Sequence, residues 1–256
     1  MNIKIAAASV LKKLRPSWWK GGIFEITLFL ALYTAYSFTQ DSLPDRTLLA
    51  FHNSYNIVDI EQNLKIFWEL SIQSWFLRSD VLVQLVNSLY TLLFFPVLIS
   101  FGIWAYRYHR QHYLIARNSL FISAVIAFPC FAFYPVAPPR LLSDLGFVDT
   151  LATYMKFDVS SLPTHLVNQY AAMPSLHMCW TLLVGIAIIR IAKTRWLKIV
   201  GFLLPLLMFI TIVATANHFI LDALVGSSIA GLSYSMALLF ARWKQSVTPE
   251  SVTEYA

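Results

Sequence analysis

Six stretches of the chain are apolar for long enough to cross a bilayer as helices, which takes about 20 residues. They fall at about 22–39, 81–106, 114–136, 176–193, 197–216 and 218–241. The interval between the first two has a different pattern. Ile57, Ile60, Leu64, Phe67 and Ser71 recur at helical spacing, with Asp59, Glu61, Gln62, Lys65 and Glu69 on the opposite face. This predicts an amphipathic helix on the outer membrane surface, closed by Trp75-Phe76, although the same pattern suits a helix packed across the ends of a bundle. The expected architecture is an all-α integral membrane protein with six transmembrane helices plus this interfacial helix.

The second long interval, 137–172, opens with Ala137-Pro138-Pro139-Arg140 and carries Leu141, Leu142, Leu145, Phe147 and Val148 among few charges. The two prolines are expected to end the third span and force an extended exit. The apolar content predicts a lid or entry surface dipping into the membrane. No repeat, low-complexity tract or internal linker breaks the pattern. One membrane-embedded domain is therefore expected over 1–256, with short cytoplasmic tails at 1–20 and 245–256.

Composition agrees with the pattern: 58% of residues are hydrophobic, 12% are charged and the mean hydropathy is +0.62. Charged residues make up about a quarter of a soluble domain, so that class is excluded. The cationic amino end (Lys4, Lys12, Lys13, Arg15, Lys20) precedes a long first span that contains Glu25 and lacks a small-residue cleavage site. That span is expected to stay uncleaved.

Further Lys and Arg cluster after span 2 (Arg107, Arg110, Arg117), after span 4 (Arg190, Lys193, Arg195, Lys198) and in the tail (Arg242, Lys244). Arg46, Lys65, Arg78, Arg140 and Lys156 lie on the opposite side. The positive-inside rule then places both termini in the cytoplasm, and a plasma or inner membrane is the expected location. The pI near 9.3 reports this topology and not nucleic-acid binding.

Trp18, Trp19, Trp104, Tyr106 and Trp243 sit where interfacial aromatic belts belong. Cys130 and Cys179 fall inside predicted spans and read as small core residues, so neither a disulfide nor a metal site is expected.

Against this apolar background a few polar residues stand out. The end of span 3 with Arg140, the start of span 4 with His177, and the turn into span 6 with His218 all fall on the outer side. Ionisable groups in membrane segments are costly, which marks them as candidate functional residues.

His218 and Asp222 are four apart, so on a helix they share a face. A carboxylate on one imidazole nitrogen fixes the tautomer and leaves the other nitrogen free as a nucleophile. His177 could protonate a departing oxygen. Pro174-Ser175 offers backbone N–H groups and a hydroxyl at a helix N-terminus, an anion site. Arg140 adds a fork of donors suited to phosphate oxygens.

Simpler roles exist for each. His177 and His218 could bridge helices, Arg140 could anchor at the headgroups, and Ser175 could only start a helix. Asn217 could donate to a phosphate oxygen or cap span 6. His52, His109, His112 and His165 have no partner in register.

Pro174-Ser175-Leu176-His177 followed by His218-x-x-x-Asp222 resembles the second and third signature motifs of the type 2 phosphatidic acid phosphatase superfamily. Its members are six-helix membrane enzymes that work through a phosphohistidine. Tyr134-Pro135-Val136-Ala137-Pro138-Pro139-Arg140, Tyr170-Ala171-Ala172-Met173 before the second motif, and Asn217-His218-Phe219 resemble, more narrowly, the inositol-phosphotransferase branch. That branch includes fungal inositol phosphorylceramide synthase.

The resemblance implies that His218 is the nucleophile, Asp222 its orienting carboxylate, His177 the general acid and Ser175 a phosphate contact. It implies membrane lipids and a lipid-phosphate substrate as partners, and no cofactor. Two of the motifs depart from the superfamily. Phe133 stands where the first motif has a lysine, and Thr211-Ile212 stand where the third has Ser-Arg. Arg140 is left as the obvious cation, with Lys156 as a second candidate.

The expected activity is cleavage or transfer of a lipid phosphate ester on the extracytoplasmic face. Two rivals are a proton-relaying transporter or flippase, which predicts charged or broken-helix sites near the midplane, and a metal-dependent hydrolase ligated by His177, His218 and Asp222.

Overall fold

The computed structural model describes residues 18–41, 46–156 and 168–247. His165, the cationic stretch before Trp18 and the end of the tail lie outside the described residues. Contacts divide the chain into two compact units, Met1–Ser42 and Leu43–Ala256. The described residues of the first form a helix, α1 (Trp18–Asp41).

Among its described residues the second unit is built of helices joined by short loops, with one isolated parallel bridge between Val136 and Ala171. It comprises α2 (Thr47–Asn63), α3 (Glu69–Phe76), α4 (Asp80–Leu93), α5 (Phe95–Tyr108), α6 (Arg110–Phe133), α7 (Thr150–Met155), α8 (Leu176–Ile191), α9 (Arg195–Ala214) and α10 (Ile220–Val247). Among the described residues, four segments are long and apolar enough to cross a membrane: Asp80–Tyr108, Arg110–Phe133, Arg195–Ala214 and Ile220–Lys244. Two shorter apolar stretches, Gly21–Ser37 and Leu176–Ile191, fall on the first and fourth expected spans.

The second expected span is a helix pair. It breaks at Phe94 (φ −86°, ψ −88°), two residues before Pro96, whose missing N–H and bulky ring disrupt a continuous helical ladder. The third span ends earlier than expected. Pro135 disfavours a helical Tyr134, which sits at φ −134°, ψ 66°. Pro135 stops the helix, and Pro138-Pro139 instead lead into a 3₁₀ turn at Pro139–Leu141.

The faces of the α2–α3 region differ from the expected ones. The helix is broken after Asn63, where Lys65 adopts φ 58°. Glu61, Glu69, Gln73, Asn53 and Ser54 point inward and are buried, whereas Ile60, Leu64, Trp68 and Trp75 are exposed. Ile57, placed with Ile60 by the sequence pattern, is buried with Val58, Val136, Leu142, Phe147 and Phe219.

The buried polar side chains hold other backbone. Asn53 Nδ2 donates to the Pro135 carbonyl at 2.8 Å, Ser54 Oγ to that of Ala137 at 2.8 Å, and the Gln73 amide both donates to and accepts from Val148. The described part of the 137–172 interval is consequently packed on the protein. Leu142, Phe147 and Leu151 are core residues rather than a lid dipping into lipid.

Two close backbone approaches fix the helices that carry the site. A Cβ on Gly185 of α8 would lie 2.4 Å from the Gly201 carbonyl oxygen of α9, and one on Gly226 of α10 would lie 2.3 Å from the Ser175 carbonyl oxygen. Both are far below van der Waals contact, so glycine is required at each. The start of α8 thereby rests directly on α10, bringing together residues separated by 41 positions.

Candidate active site

The loop before α8 is laid down by a short parallel pairing. Val136 N–H donates to the Tyr170 carbonyl at 2.8 Å and Ala172 N–H to the Val136 carbonyl at 3.2 Å. Ser175 then caps α8, its Oγ accepting from Met178 N–H at 3.3 Å and its N–H donating to the Asp222 carbonyl at 3.1 Å. Ser175 is thus the residue that starts α8.

His218 lies outside a helix, which corrects the picture of a single helical face. It sits on the turn between α9 and α10, where Ala216 has φ 52° and the N–H groups of Asn217 and His218 both donate to the Ile212 carbonyl. Asp222 is in the first turn of α10 and reaches back to accept the Phe219 N–H at 2.9 Å, as the third residue of a capping box does.

The two imidazoles meet. His177 Nδ1 is 3.2 Å from His218 Nε2. The outer nitrogen of His218, Nδ1, is 2.9 Å from the Ala172 carbonyl oxygen and 3.5 Å from Asp222 Oδ2. The first is a hydrogen-bond distance and the second is an electrostatic contact, so the Ala172 carbonyl takes the Nδ1 proton. With Nδ1 protonated, His218 Nε2 carries the lone pair and accepts from His177 Nδ1–H.

The outer nitrogen of His177, Nε2, then accepts from the Tyr90 hydroxyl at 3.2 Å. Phe94, freed by the helix break before Pro96, packs its ring 4.2 Å from that of His177 and stacks on Trp180.

Arg140 is buried and engaged. Its Nη1 donates to Asp149 Oδ2 at 2.6 Å, its Nε to Asn217 Oδ1 at 3.1 Å, and its N–H to the Ala216 carbonyl at 2.8 Å. Asn217 Nδ2 donates to Thr215 Oγ1 at 2.8 Å, so this amide links Arg140 to the His218 turn. Asp149 holds the arginine from α7, whose Ala152 N–H it caps at 3.0 Å.

His177, His218, Asp222, Ser175, Asn217 and Arg140 thus lie on one connected set of contacts. Lys156 stands apart, exposed at the end of α7. His109 packs on Trp104 and lies beside His112, away from the site. Among the described residues, no three His, Cys, Asp or Glu side chains are grouped to hold a metal ion. A cavity of about 300 Å³ lies near the other end of α10, lined by Asn118, Phe121, Ile122, Ala237 and Phe240, and takes no part in these contacts.

Sequence reasoning missed Tyr90, Phe94, Ala172, Asp149, Glu61 and Glu69. Tyr90 and Phe94 are four apart within an apolar run and carry no signal of their own. Glu61 and Glu69 looked like a solvated face. Their Oε1 atoms accept from the first N–H groups of α10, Leu221 at 2.7 Å and Ile220 at 2.7 Å.

The family model described as the PAP2 superfamily matches residues 55–236, which include every residue of this cluster. The phosphoinositol dihydroceramide synthase of Bacteroides thetaiotaomicron is 31% identical over 155 residues, covering 54% of this chain and 50% of the relative. The chain thus spans about half the length of the curated relative it matches. No solved structure matches.

Proposed function

The chain belongs to the PAP2 superfamily, and we propose that it is a membrane enzyme that cleaves or transfers a lipid phosphate ester through a phosphohistidine on His218. The observation that carries this reading is the facing pair of imidazoles, each with its outer nitrogen fixed, at the mouths of α8 and α10.

In the resting arrangement His177 Nδ1 covers His218 Nε2, so the phosphoryl group enters by parting the two rings. Negative phosphate favours the imidazolium form of His177, with Nε2–H on the Tyr90 oxygen and Nδ1–H on the leaving oxygen. His218 Nε2 attacks phosphorus, the P–N bond forms, the P–O bond to the leaving alkoxide breaks, and His177 gives that alkoxide its proton. The phosphorylated ring keeps its Nδ1–H between the Ala172 carbonyl and the Asp222 carboxylate, which stabilise its positive charge. Neutral His177 then takes the proton of an incoming hydroxyl, whose oxygen attacks phosphorus and releases His218.

Arg140 supports the phosphate oxygens. Nε and Nη1 are held by Asn217 and Asp149, which leaves Nη2 to reach the phosphate. The Ser175 cap and the α8 N-terminus add dipole stabilisation, and Asn217 acts by holding Arg140.

Likeness to a phosphoinositol dihydroceramide synthase favours transfer over hydrolysis. The proposed donor is a lipid carrying phosphoinositol and the proposed acceptor a ceramide-type hydroxyl. Six spans, with both termini cytoplasmic and the site outside, fit the Lys and Arg distribution. The exposed Ile60, Leu64, Trp68 and Trp75 fit α2 and α3 lying at the membrane surface.

The deciding experiment gives purified protein phosphatidylinositol with and without ceramide acceptors. It follows free phosphate, inositol phosphate and new sphingolipid separately, with His218→Ala alongside. Phosphoinositol transfer that vanishes in His218→Ala is expected. Near-normal turnover by that variant ends the phosphohistidine scheme. A cysteine placed beside Arg140 should react with an impermeant reagent from outside, and labelling only after permeabilisation reverses the topology.

A further inference from the structure

Three buried carboxylates occupy successive N–H groups at the start of α10. Asp222 Oδ2 takes Phe219 N–H at 2.9 Å, Glu69 Oε1 takes Ile220 N–H at 2.7 Å and Glu61 Oε1 takes Leu221 N–H at 2.7 Å. All three side chains are fully buried. Two of them come from elements 151 and 160 residues away.

A helix N-terminus offers about half a positive charge, which cannot balance three carboxylates in one turn without water. Each carboxyl also has one oxygen, Glu61 Oε2, Glu69 Oε2 and Asp222 Oδ1, that no N–H or O–H of the described residues reaches. Glu61 and Glu69 are within hydrogen-bonding reach of each other, side chain to side chain, and such a bond forms once one carboxyl carries a proton. The helix break between α2 and α3 serves this arrangement. Lys65 turns back at φ 58° and Ile66 N–H closes onto the Glu61 carbonyl at 2.8 Å, aiming both glutamates at α10.

We propose that Glu61 and Glu69 are positioning residues that share one proton and clamp the first turn of α10, fixing the spacing between His218 and Asp222. Ile220 and Leu221, whose amides they hold, are two of the three residues between them, and Phe219, the third, gives its amide to Asp222 itself. The inference rests on the reading that His218 and Asp222 carry the chemistry.

The charge states agree with it. Burial, and then the hydrogen bond and charge of Glu69, push the Glu61 carboxyl up to about 9. Burial also raises Glu69, but there the bond from Glu61 acts in the opposite direction, so Glu61 holds the proton. The ionisable groups around Glu61 are Glu69 on α3 and Asp222 on α10, with His218 beyond Asp222. A second consequence follows. The positive end of α10 is occupied by the protein's own carboxyls, so phosphate is left to Arg140 and the α8 terminus.

The test uses the full chain in lipid nanodiscs, with Glu61→Gln and Glu61→Ala. It reads amide hydrogen exchange at 219–222 together with the pH profile of phosphoinositol transfer. Gln keeps an acceptor for Leu221 and a donor for Glu69, whereas Ala keeps neither.

In Glu61→Ala, exchange at 219–222 should rise about tenfold and kcat should fall about tenfold with KM little changed. Glu61→Gln should restore both and lack the alkaline limb near pH 9 that the unsubstituted protein is expected to show. Unchanged exchange in Glu61→Ala, a Gln variant as damaged as the Ala variant, or an alkaline limb that persists in Glu61→Gln overturns the clamp. If Glu61→Ala does not fold, the Gln variant and the pH dependence of exchange in the natural protein decide. If His218→Ala stays active while the exchange pattern holds, the clamp stands and the catalytic reading falls.

Discussion

His177 and His218 face each other at 3.2 Å, Nδ1 to Nε2. Their outer nitrogens end on a Tyr90 hydroxyl and an Ala172 carbonyl, so donors and acceptors alternate through one unbroken chain, Tyr90 to His177 to His218 to Ala172. Every nitrogen has one assignable role, and the reactive lone pair is the one that His177 covers until substrate arrives.

Tyr90→Phe removes the donor to His177 Nε2 and keeps the ring, whose centroid is 5.0 Å from the imidazole. A lost neutral hydrogen bond is worth about 1 kcal/mol, so kcat should fall about fivefold with the fold intact. Steady-state kinetics with a thermal melt check this. Unchanged kcat removes Tyr90 from the proton path.

Asp222 performs two tasks, and two variants separate them. Asp222→Asn keeps an oxygen for Phe219 N–H but loses the charge 3.5 Å from His218 Nδ1. Because Ala172 still holds that proton, the loss of kcat should be milder than the ~10⁴-fold seen where a carboxylate alone orients the histidine. Asp222→Ala should also lower stability by about 1 kcal/mol through the lost cap. Equal melting temperatures for the two variants contradict the capping role.

The helices and the histidine cluster were legible in the sequence because both are written locally. Long apolar runs specify the long helices, and His177, His218 and Asp222 are conspicuous in such surroundings. What was not legible depends on distant partners. Glu61 and Glu69 look like a solvated face until the start of α10 arrives from 151 and 160 positions away to claim them. Arg140 looked uncommitted because Asp149 and Asn217 are joined to it only by the fold. The early end of α6 was in principle readable, since Pro135 stands before Pro138-Pro139.

Gly226→Ala places a methyl group 2.3 Å from the Ser175 carbonyl oxygen, against backbone that cannot turn aside. Overpacking of this kind costs about 1–3 kcal/mol. Here it also pushes away the start of α8, which carries His177. Both melting temperature and kcat should fall. Gly231→Ala, where no neighbouring atom lies within 4 Å, is the control and should be neutral or mildly stabilising. Equal behaviour of the two variants disproves the close approach.

Stability should decline with alkalinity. The Glu61 carboxyl sits at about 9 in the fold against 4.5 ordinarily. Between those values the unfolded chain has released the proton that the folded chain keeps, so the unfolded state binds fewer protons and stability falls as pH rises. The contribution is complete below about 4.5 and gone above about 9. Melting temperatures in detergent should drop across that window, and Glu61→Gln should flatten the slope. An identical slope in the variant assigns the effect to another group.

Asp149 and the phosphate compete for one guanidinium. Asp149→Asn keeps the cap on Ala152 N–H and removes the negative charge 2.6 Å from Arg140 Nη1. Inorganic phosphate should then inhibit at severalfold lower concentration, because the buried cation is less neutralised. Arg140→Lys presents a point charge in place of a fork and should raise KM by about tenfold. Arg140→Ala should abolish the gain from Asp149→Asn in the double variant, since the two act through one contact. Phosphate inhibition that is indifferent to Arg140 would place the anion elsewhere, at the Ser175 end of α8.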